Sequence, residues 1–171
     1  MQTDNLVFFR LEYAGPSRKR HLPEGLTAEL FKPSLLHLYA HNGSFLLYMF
    51  WYIFSLGNYR IFYVRNREHR VVAYSHLLPR IFKFPFMSRD DLHMGPSWTD
   101  PEYRNRGIHT YMKHTLLEKF DQRGRAFWAV VEARNTPSIR VQHKNGFEEV
   151  GRGYKSRYLG IYTMKPRGSI E

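Results

Sequence analysis

The chain has 171 residues, enough for one domain with a sizeable core and too few for two comfortable ones. An apolar share of 43% and a charged share of 24% are those of a folded globular protein, and the absence of cysteine excludes a disulfide framework, a thiolate zinc site and a cysteine nucleophile. Twenty-six Lys and Arg against 15 Asp and Glu give a net charge of +11, which favours anionic partners: nucleic acid, nucleotide-bearing small molecules or anionic lipid headgroups.

In chain order, residues 6–13 alternate as a strand. Residues 15–25 form a loose basic and Pro-bearing segment, and its run Arg18-Lys19-Arg20-His21 reads as a solvated loop rather than a nucleic-acid arm. Residues 26–40 have helical spacing, broken near Pro33, and His41-Asn42-Gly43-Ser44 is a turn. Residues 45–56 form a helix that is apolar nearly all round, so core burial is the expectation, with an acceptor wall, a dimer contact and a membrane-surface patch as alternatives. Its ten-residue apolar run is too short to cross a bilayer, which takes about 20 residues in a helix. No export signal is visible, which fits the cytoplasm. Strands follow at residues 59–66, 70–82 and 92–99. A helix spans residues 106–122, a strand 125–134 and a short helix 135–144, with Pro137 in its first turn. Gly146-Phe147 opens another strand, residues 157–164 close the fold, and the tail from Pro166 is expected to fray. The order is β-αα-βββ-α-β-α-ββ, a mixed α/β single domain over residues 1–171.

Two segments carry chemistry. The first is Thr99-Asp-Pro-Glu-Tyr-Arg-Asn-Arg-Gly-Ile-His109, which follows a strand and opens a helix. Backbone N–H groups of such a turn converge on one point, and the helix adds its positive end, so a pyrophosphate fits there. Gly107 allows close backbone approach, and Arg104 and Arg106 add charge. The bland alternative is an ordinary basic loop before a helix. The second is Asn135-Thr-Pro-Ser-Ile-Arg-Val-Gln-His-Lys-Asn-Gly-Phe147, in which a strand ends, a short helix runs and a Gly-Phe pair begins the next strand. Alone it is a strand-helix-strand connection with a Gly cap.

Together the two resemble the GNAT acetyltransferase superfamily from about residue 92 to residue 150. That family's cofactor motif, Gln/Arg-x-x-Gly-x-Gly/Ala, is matched by Arg104-Asn-Arg-Gly107-Ile-His109, preceded by Pro101-Glu-Tyr103. Its second motif is matched by Asn135, Lys144, Gly146 and Phe147. The resemblance implies a sheet whose fourth and fifth strands splay, with acetyl-CoA or another acyl-CoA as cosubstrate in the gap and no metal. It implies backbone contacts from Trp98 and Thr99, a pyrophosphate cradle at Arg104, Asn105, Arg106, Gly107, Ile108, His109 and Thr110, and Asn135 and Ser138 near the pantetheine arm.

The implied reaction is attack of an acceptor amine on the thioester, for which a base is useful. The family's base position, eleven residues before Arg104, is His93, and histidine titrates near neutral pH. Glu132 is the alternative, with His76 and Asp91 behind it. Two departures stand out: His109 replaces a small residue of the cofactor motif, and Gln142 occupies the place of the family's usual tyrosine acid. Charge and aromatic content suit an anionic, ring-bearing acceptor such as a nucleotide-linked amino sugar, where rings stack and phosphates pair with Arg. Small amines, protein amines and a homodimer stay open, and nucleic acid is disfavoured. Two other readings compete with the enzyme: a non-catalytic CoA-binding module, motivated by Gln142, and a basic RNA- or membrane-surface protein. His37 and His41 stand at helical spacing but lack further ligands for a metal.

Overall fold

The computed structural model describes residues 5–12, 15, 21–41 and 43–167. The basic run at residues 18–20, Asn42 of the expected turn, and the last four residues of the tail lie outside them. Eight strands form one sheet in the order β2-β3-β4-β5-β6-β1-β7-β8. They are β1 (Leu6–Glu12), β2 (Thr27–Phe31), β3 (Arg60–Arg65), β4 (Val71–Pro79), β5 (Leu92–Thr99), β6 (Ala126–Glu132), β7 (Glu148–Lys155) and β8 (Tyr162–Pro166). The helices are α1 (Phe45–Phe54), α2 (Ile108–Phe120) and α3 (Thr136–Lys144). All strand pairs are antiparallel except β5 with β6.

The mixed α/β class holds, with corrections to single elements. Residues 26–40, expected to be helical, instead give β2, which pairs with β3 from Thr27↔Arg65 to Phe31↔Ile61. Leu30 packs on one face of the sheet and Phe31 on the other, so a two-residue period wins over the apparent helical one. Beyond Pro33 the chain makes only a tight turn bridged at Ser34↔His37. At the far end, the strand expected at residues 157–164 begins later, at Tyr162, and runs on through Pro166, which is therefore held rather than frayed.

Alternation along β3 divides the core in two. Phe62 and Val64 join Met94, Met112, Leu116, Phe127 and Phe147 on the face covered by α2, whereas Ile61 and Tyr63 join Tyr48, Trp51, Tyr59 and Leu78 on the face covered by α1. The expected burial of α1 is met on one side only. Tyr48 and Trp51 point inward, while Phe45, Leu46, Ile53 and Phe54 are exposed, and Phe82 joins the outer rings of Phe50 and Phe54.

Two details shape the middle of the sheet. Opposite His76, β5 carries one extra residue: Ser75 pairs with Ser97, but Leu77 pairs with Met94. Gly95, at φ +131, supplies the backbone conformation this bulge needs, one that a side chain would strain. On its other edge β5 pairs with β6 only at Leu92↔Phe127 and His93↔Trp128, and from Met94 onward the two strands diverge.

Candidate active site

The turn between β5 and α2 is built from local hydrogen bonds. Asp100 Oδ1 accepts the Glu102 N–H at 3.0 Å, and Arg104 Nε donates to the Thr99 carbonyl at 3.1 Å, so the segment folds back on the end of β5. Asn105 and Gly107 both take left-handed backbone angles, φ 62 and 77. Gly107 is the N-cap of α2 and brings no side-chain oxygen to the first turn, and nothing lies within 4 Å of where its Cβ would be. The helix therefore opens with no side-chain cap into free space, next to the exposed Arg104 and Arg106. That is an anion-binding geometry. Arg106 rests over the Tyr103 ring at 5.1 Å. Ile108 anchors the turn in the core, while His109 and Thr110 are half-buried on the first turn.

The gap between β5 and β6 is bordered by groups whose polar atoms are unpaired or poorly solvated. At its apex His93 is buried and stacked on Phe84 (4.6 Å, 13°), and neither ring nitrogen has a hydrogen-bond partner. Burial lowers the His93 pKa to about 4, against an opposing effect of the Gly95 backbone. His109 Nδ1 is likewise unpartnered, and burial lowers that imidazole to about 4. Lys113, one turn further along α2, is buried; burial lowers it to about 7, and its ammonium lies 3.9 Å from the Phe147 ring centre. Lys113 Nζ donates to Gln142 Oε1 on α3. Since α2 packs on β4 and β5 and α3 packs on β6, this bond bridges the gap from above.

On the face covered by α1 lies a second polar group, and this one is closed. His76 Nδ1 faces the Pro96 carbonyl at 2.8 Å and must carry its proton there. With burial lowering His76 to about 4, the ring is neutral and Nε2 accepts from the Tyr48 hydroxyl at 2.8 Å. The Tyr48 oxygen then accepts from His41 Nε2 at 2.8 Å, His41 Nδ1 accepts from the Tyr63 hydroxyl at 2.7 Å, and Tyr63 accepts the Ala40 N–H at 2.9 Å. Every atom in the chain has a partner. Burial also raises Tyr63 to about 12, which keeps its hydroxyl protonated. The network pins His41 flat against Tyr74 (4.2 Å, 30°), which in turn stacks near Trp98 (5.7 Å, 26°). These three rings, with Ala40, Arg65, Arg70 and Val71, line a cleft of about 420 Å³. Glu29 accepts from Arg65, and Asp100 accepts from Arg70.

The remaining residues singled out from sequence lie apart from these clusters or serve the fold. Glu132 is exposed at the end of β6 and bonded to Arg134 at 2.8 Å. Asn135 caps α3 by accepting the Ser138 N–H at 3.2 Å. Asp91 is buried and accepts from Ser88 N, Ala126 N and Trp128 Nε1, which makes it a structural carboxylate. Among the described residues no three His, Asp or Glu side chains converge as a metal set, and no helix is long and apolar enough to cross a membrane.

The model of the Acetyltransferase (GNAT) family matches residues 27–147, well over half of the chain. The chain belongs to the GNAT family. A GCN5-related N-acetyltransferase from Sphaerobacter thermophilus superposes with a TM-score of 0.63 at 14% identity, over 87% of this chain and 49% of that one. The ribosomal-protein-S18-alanine N-acetyltransferase of Escherichia coli (0.52, 17%, 80% and 88%) and an aminoglycoside 6'-N-acetyltransferase of Acinetobacter baumannii (0.53, 14%, 78% and 100%) share the fold at similar distance. The chain thus spans about half of the Sphaerobacter protein and most or all of the other two. At these identities the likeness concerns the fold. No curated protein is close enough in sequence to match.

Within this GNAT fold the structure brings His93, His109 and the turn from Arg104 to Thr110 to the rim of one gap and leaves Glu132 facing solvent. Sequence reasoning passed over Lys113, Tyr48 and Tyr63, and weighed His41 only as a metal partner of His37 at a helical spacing that the turn at Ser34↔His37 does not provide. A signal for Lys113 was present: Leu116 and Leu117, three and four residues on, are core positions, so this lysine shares the buried arc of α2. The aromatic network had none, because its members are drawn from three separate elements and a loop.

Proposed function

We propose that this GNAT domain transfers an acetyl or other short acyl group from acyl-CoA to a primary amine. The observation that carries the reading is the uncapped α2 N-terminus, flanked by Arg104 and Arg106, at the mouth of the β5/β6 gap. Pyrophosphate oxygens would accept from the N–H groups of the first turn, with His109 Nδ1 as an unpartnered polar group beside them. The pantetheine arm would lie along the edge of β5 that β6 leaves after His93, near Trp98 and Thr99, with Asn135 and Ser138 on the opposite wall. The bound thioester supplies the electrophilic carbonyl. A cysteine-free chain acting on acyl-CoA fits the cytoplasm.

His93 is the residue we assign to proton removal. Its imidazole is uncharged at neutral pH, so it can accept a proton, but burial makes it a weak base. It therefore acts after attack, on the N–H of the positively charged amine adduct, which is far more acidic than a free ammonium. Glu132, exposed and held by Arg134, is the less favoured candidate. The acceptor enters by the aromatic cleft. Three rings and two guanidinium groups at its wall suit a flat anionic amine, such as a nucleotide-linked amino sugar.

Acetyl-CoA should raise the melting temperature, by the equivalent of about 2.7 kcal/mol at one hundred times Kd. Thiol release should then follow with an amine from an anionic panel and fall in His93→Ala. Stabilisation without thiol release for any amine would favour a CoA-binding module. The absence of both, with salt-sensitive RNA or vesicle binding, would favour the surface-binding reading.

A further inference from the structure

The buried lysine is the least expected group in the molecule. An ammonium in an apolar core is costly unless something compensates it. Lys113 has one neutral hydrogen-bond acceptor, Gln142, and the face of Phe147. No salt bridge among the described residues reaches it. The titratable groups near it are His93 on β5 and His109 on α2; burial and then the Lys113 charge hold both imidazoles neutral, so neither offers the ammonium a counter-charge. An anion from outside the protein would relieve this arrangement.

The position of Lys113 says which anion. The residue lies one helical turn from His109, on the wall of a gap whose mouth is the α2 N-terminus and whose apex is His93. A ligand with its phosphates at the turn and an extended arm in the gap would point the far end of that arm toward His93 at the apex, whose imidazole is within electrostatic reach of the Lys113 ammonium. Gln142 itself stands where the resembled family places a tyrosine acid, and glutamine cannot protonate a leaving group.

We propose that Lys113, oriented by Gln142, forms a thiolate site that receives the sulfur of departing CoA and protonates it. The proposal rests on the acyl-CoA reading given above. When the acceptor nitrogen attacks the thioester carbonyl, the tetrahedral adduct collapses and the C–S bond breaks with its electron pair on sulfur. Lys113 Nζ gives one proton to that sulfur and becomes a neutral amine. The nitrogen of the new amide has shed one proton, which passes through water to restore the ammonium. The sum is amine plus acyl-CoA giving amide plus CoA thiol. Burial lowers Lys113 to about 7, where an acid is most effective at neutral pH. Gln142 is a positioning residue: it holds the ammonium across the gap and touches no reacting atom.

The site can be tested without knowing the acceptor. Free CoA is bound to the protein, and the ultraviolet absorbance of its thiolate is followed against pH, with S-methyl-CoA, which cannot ionise, as the blank. Free thiols ionise near about 8.5. The expected result is a bound thiol ionising at least one pH unit lower, roughly a tenfold larger thiolate-to-thiol ratio at pH 7. Lys113→Met should bind CoA and return the thiol to its ordinary range, and Gln142→Ala should fall between. A bound thiol in the wild type that ionises like free CoA overturns the proposal, with no variant needed. So does a Lys113→Met protein that keeps the lowered value. Failure of CoA to bind the wild type at all would instead remove the acyl-CoA reading, so the two failures are distinguishable.

Discussion

The two polar clusters beside β5 are both largely removed from solvent and differ in whether their polar atoms have partners. On the α1 side, His41, Tyr48, Tyr63 and His76 pass hydrogen bonds in one direction from the Ala40 N–H to the Pro96 carbonyl, and every ring nitrogen and hydroxyl has a partner. Around the gap, His93 and His109 hold nitrogens without partners, and Lys113 carries a charge met only by an amide oxygen and a ring. Burying an unmatched polar group costs free energy that a satisfied one does not. The closed cluster therefore serves the fold, by fixing the ring wall of the cleft. The open cluster leaves polar groups that a ligand could satisfy. Satisfaction, more than burial or residue type, separates scaffold from site.

The largest expected effect tests both clusters together. His76, His93 and His109 each have a folded pKa of about 4 against 6.5 for the free residue, so the unfolded chain binds more protons between those values. The histidine contribution is then fully present above pH 6.5 and is lost as the pH falls toward 4, by up to about 1.4 kcal/mol per pH unit for each histidine. Urea titrations across that window should show the slope, and His76→Leu should remove about a third of it.

Next comes the mouth of the gap. Gly107→Val puts a branched side chain at φ +77, and acetyl-CoA affinity measured by calorimetry should drop about 100-fold while the fold survives. The clusters themselves should then respond in opposite directions. Tyr48→Phe strands two imidazole nitrogens and should cost about 1–3 kcal/mol of stability with acetyl-CoA affinity kept. Lys113→Met removes an uncompensated charge and should stabilise the ligand-free protein by about 1–4 kcal/mol in denaturant melts. Equal signs for these two variants would break the distinction. Arg106→Gln should show the smallest change, a loss of about two- to fivefold in CoA affinity that vanishes in high salt, as expected of an exposed charge.

The helices that follow the two singled-out segments were legible in the sequence because their signals are local. The helix after Gly107 and the short helix with Pro137 in its first turn follow from residues within a few positions of one another, whereas the Asn135 cap was not read. Residues 26–40 misled because Leu26, Leu30 and Phe31 fit a helical period as well as a strand, and only the edge of β3 decides between them. The half-exposure of α1 was equally invisible, since a helix apolar on all sides does not declare which side meets the core. The Lys113–Gln142 bridge joins residues 29 positions apart on two helices, and no periodicity reports such a pair.

The short seam between β5 and β6 has a mechanical consequence. Strands β2 to β5 form one panel and β6, β1, β7 and β8 another; strand pairing joins the panels at Leu92↔Phe127 and His93↔Trp128, and the Tyr162 N–H of β8 donates to the Lys83 carbonyl between β4 and β5. The molecule is thus a hinged pair of plates with its rivets at one end. On the proposed reading an extended arm lying along β5 would supply the missing rungs, so those β5 amides beyond His93 that face the gap rather than β4 should exchange with deuterium more slowly once the slot is filled. On the proposed acyl-CoA reading, a ligand there would also act as a splint between the two groups of strands.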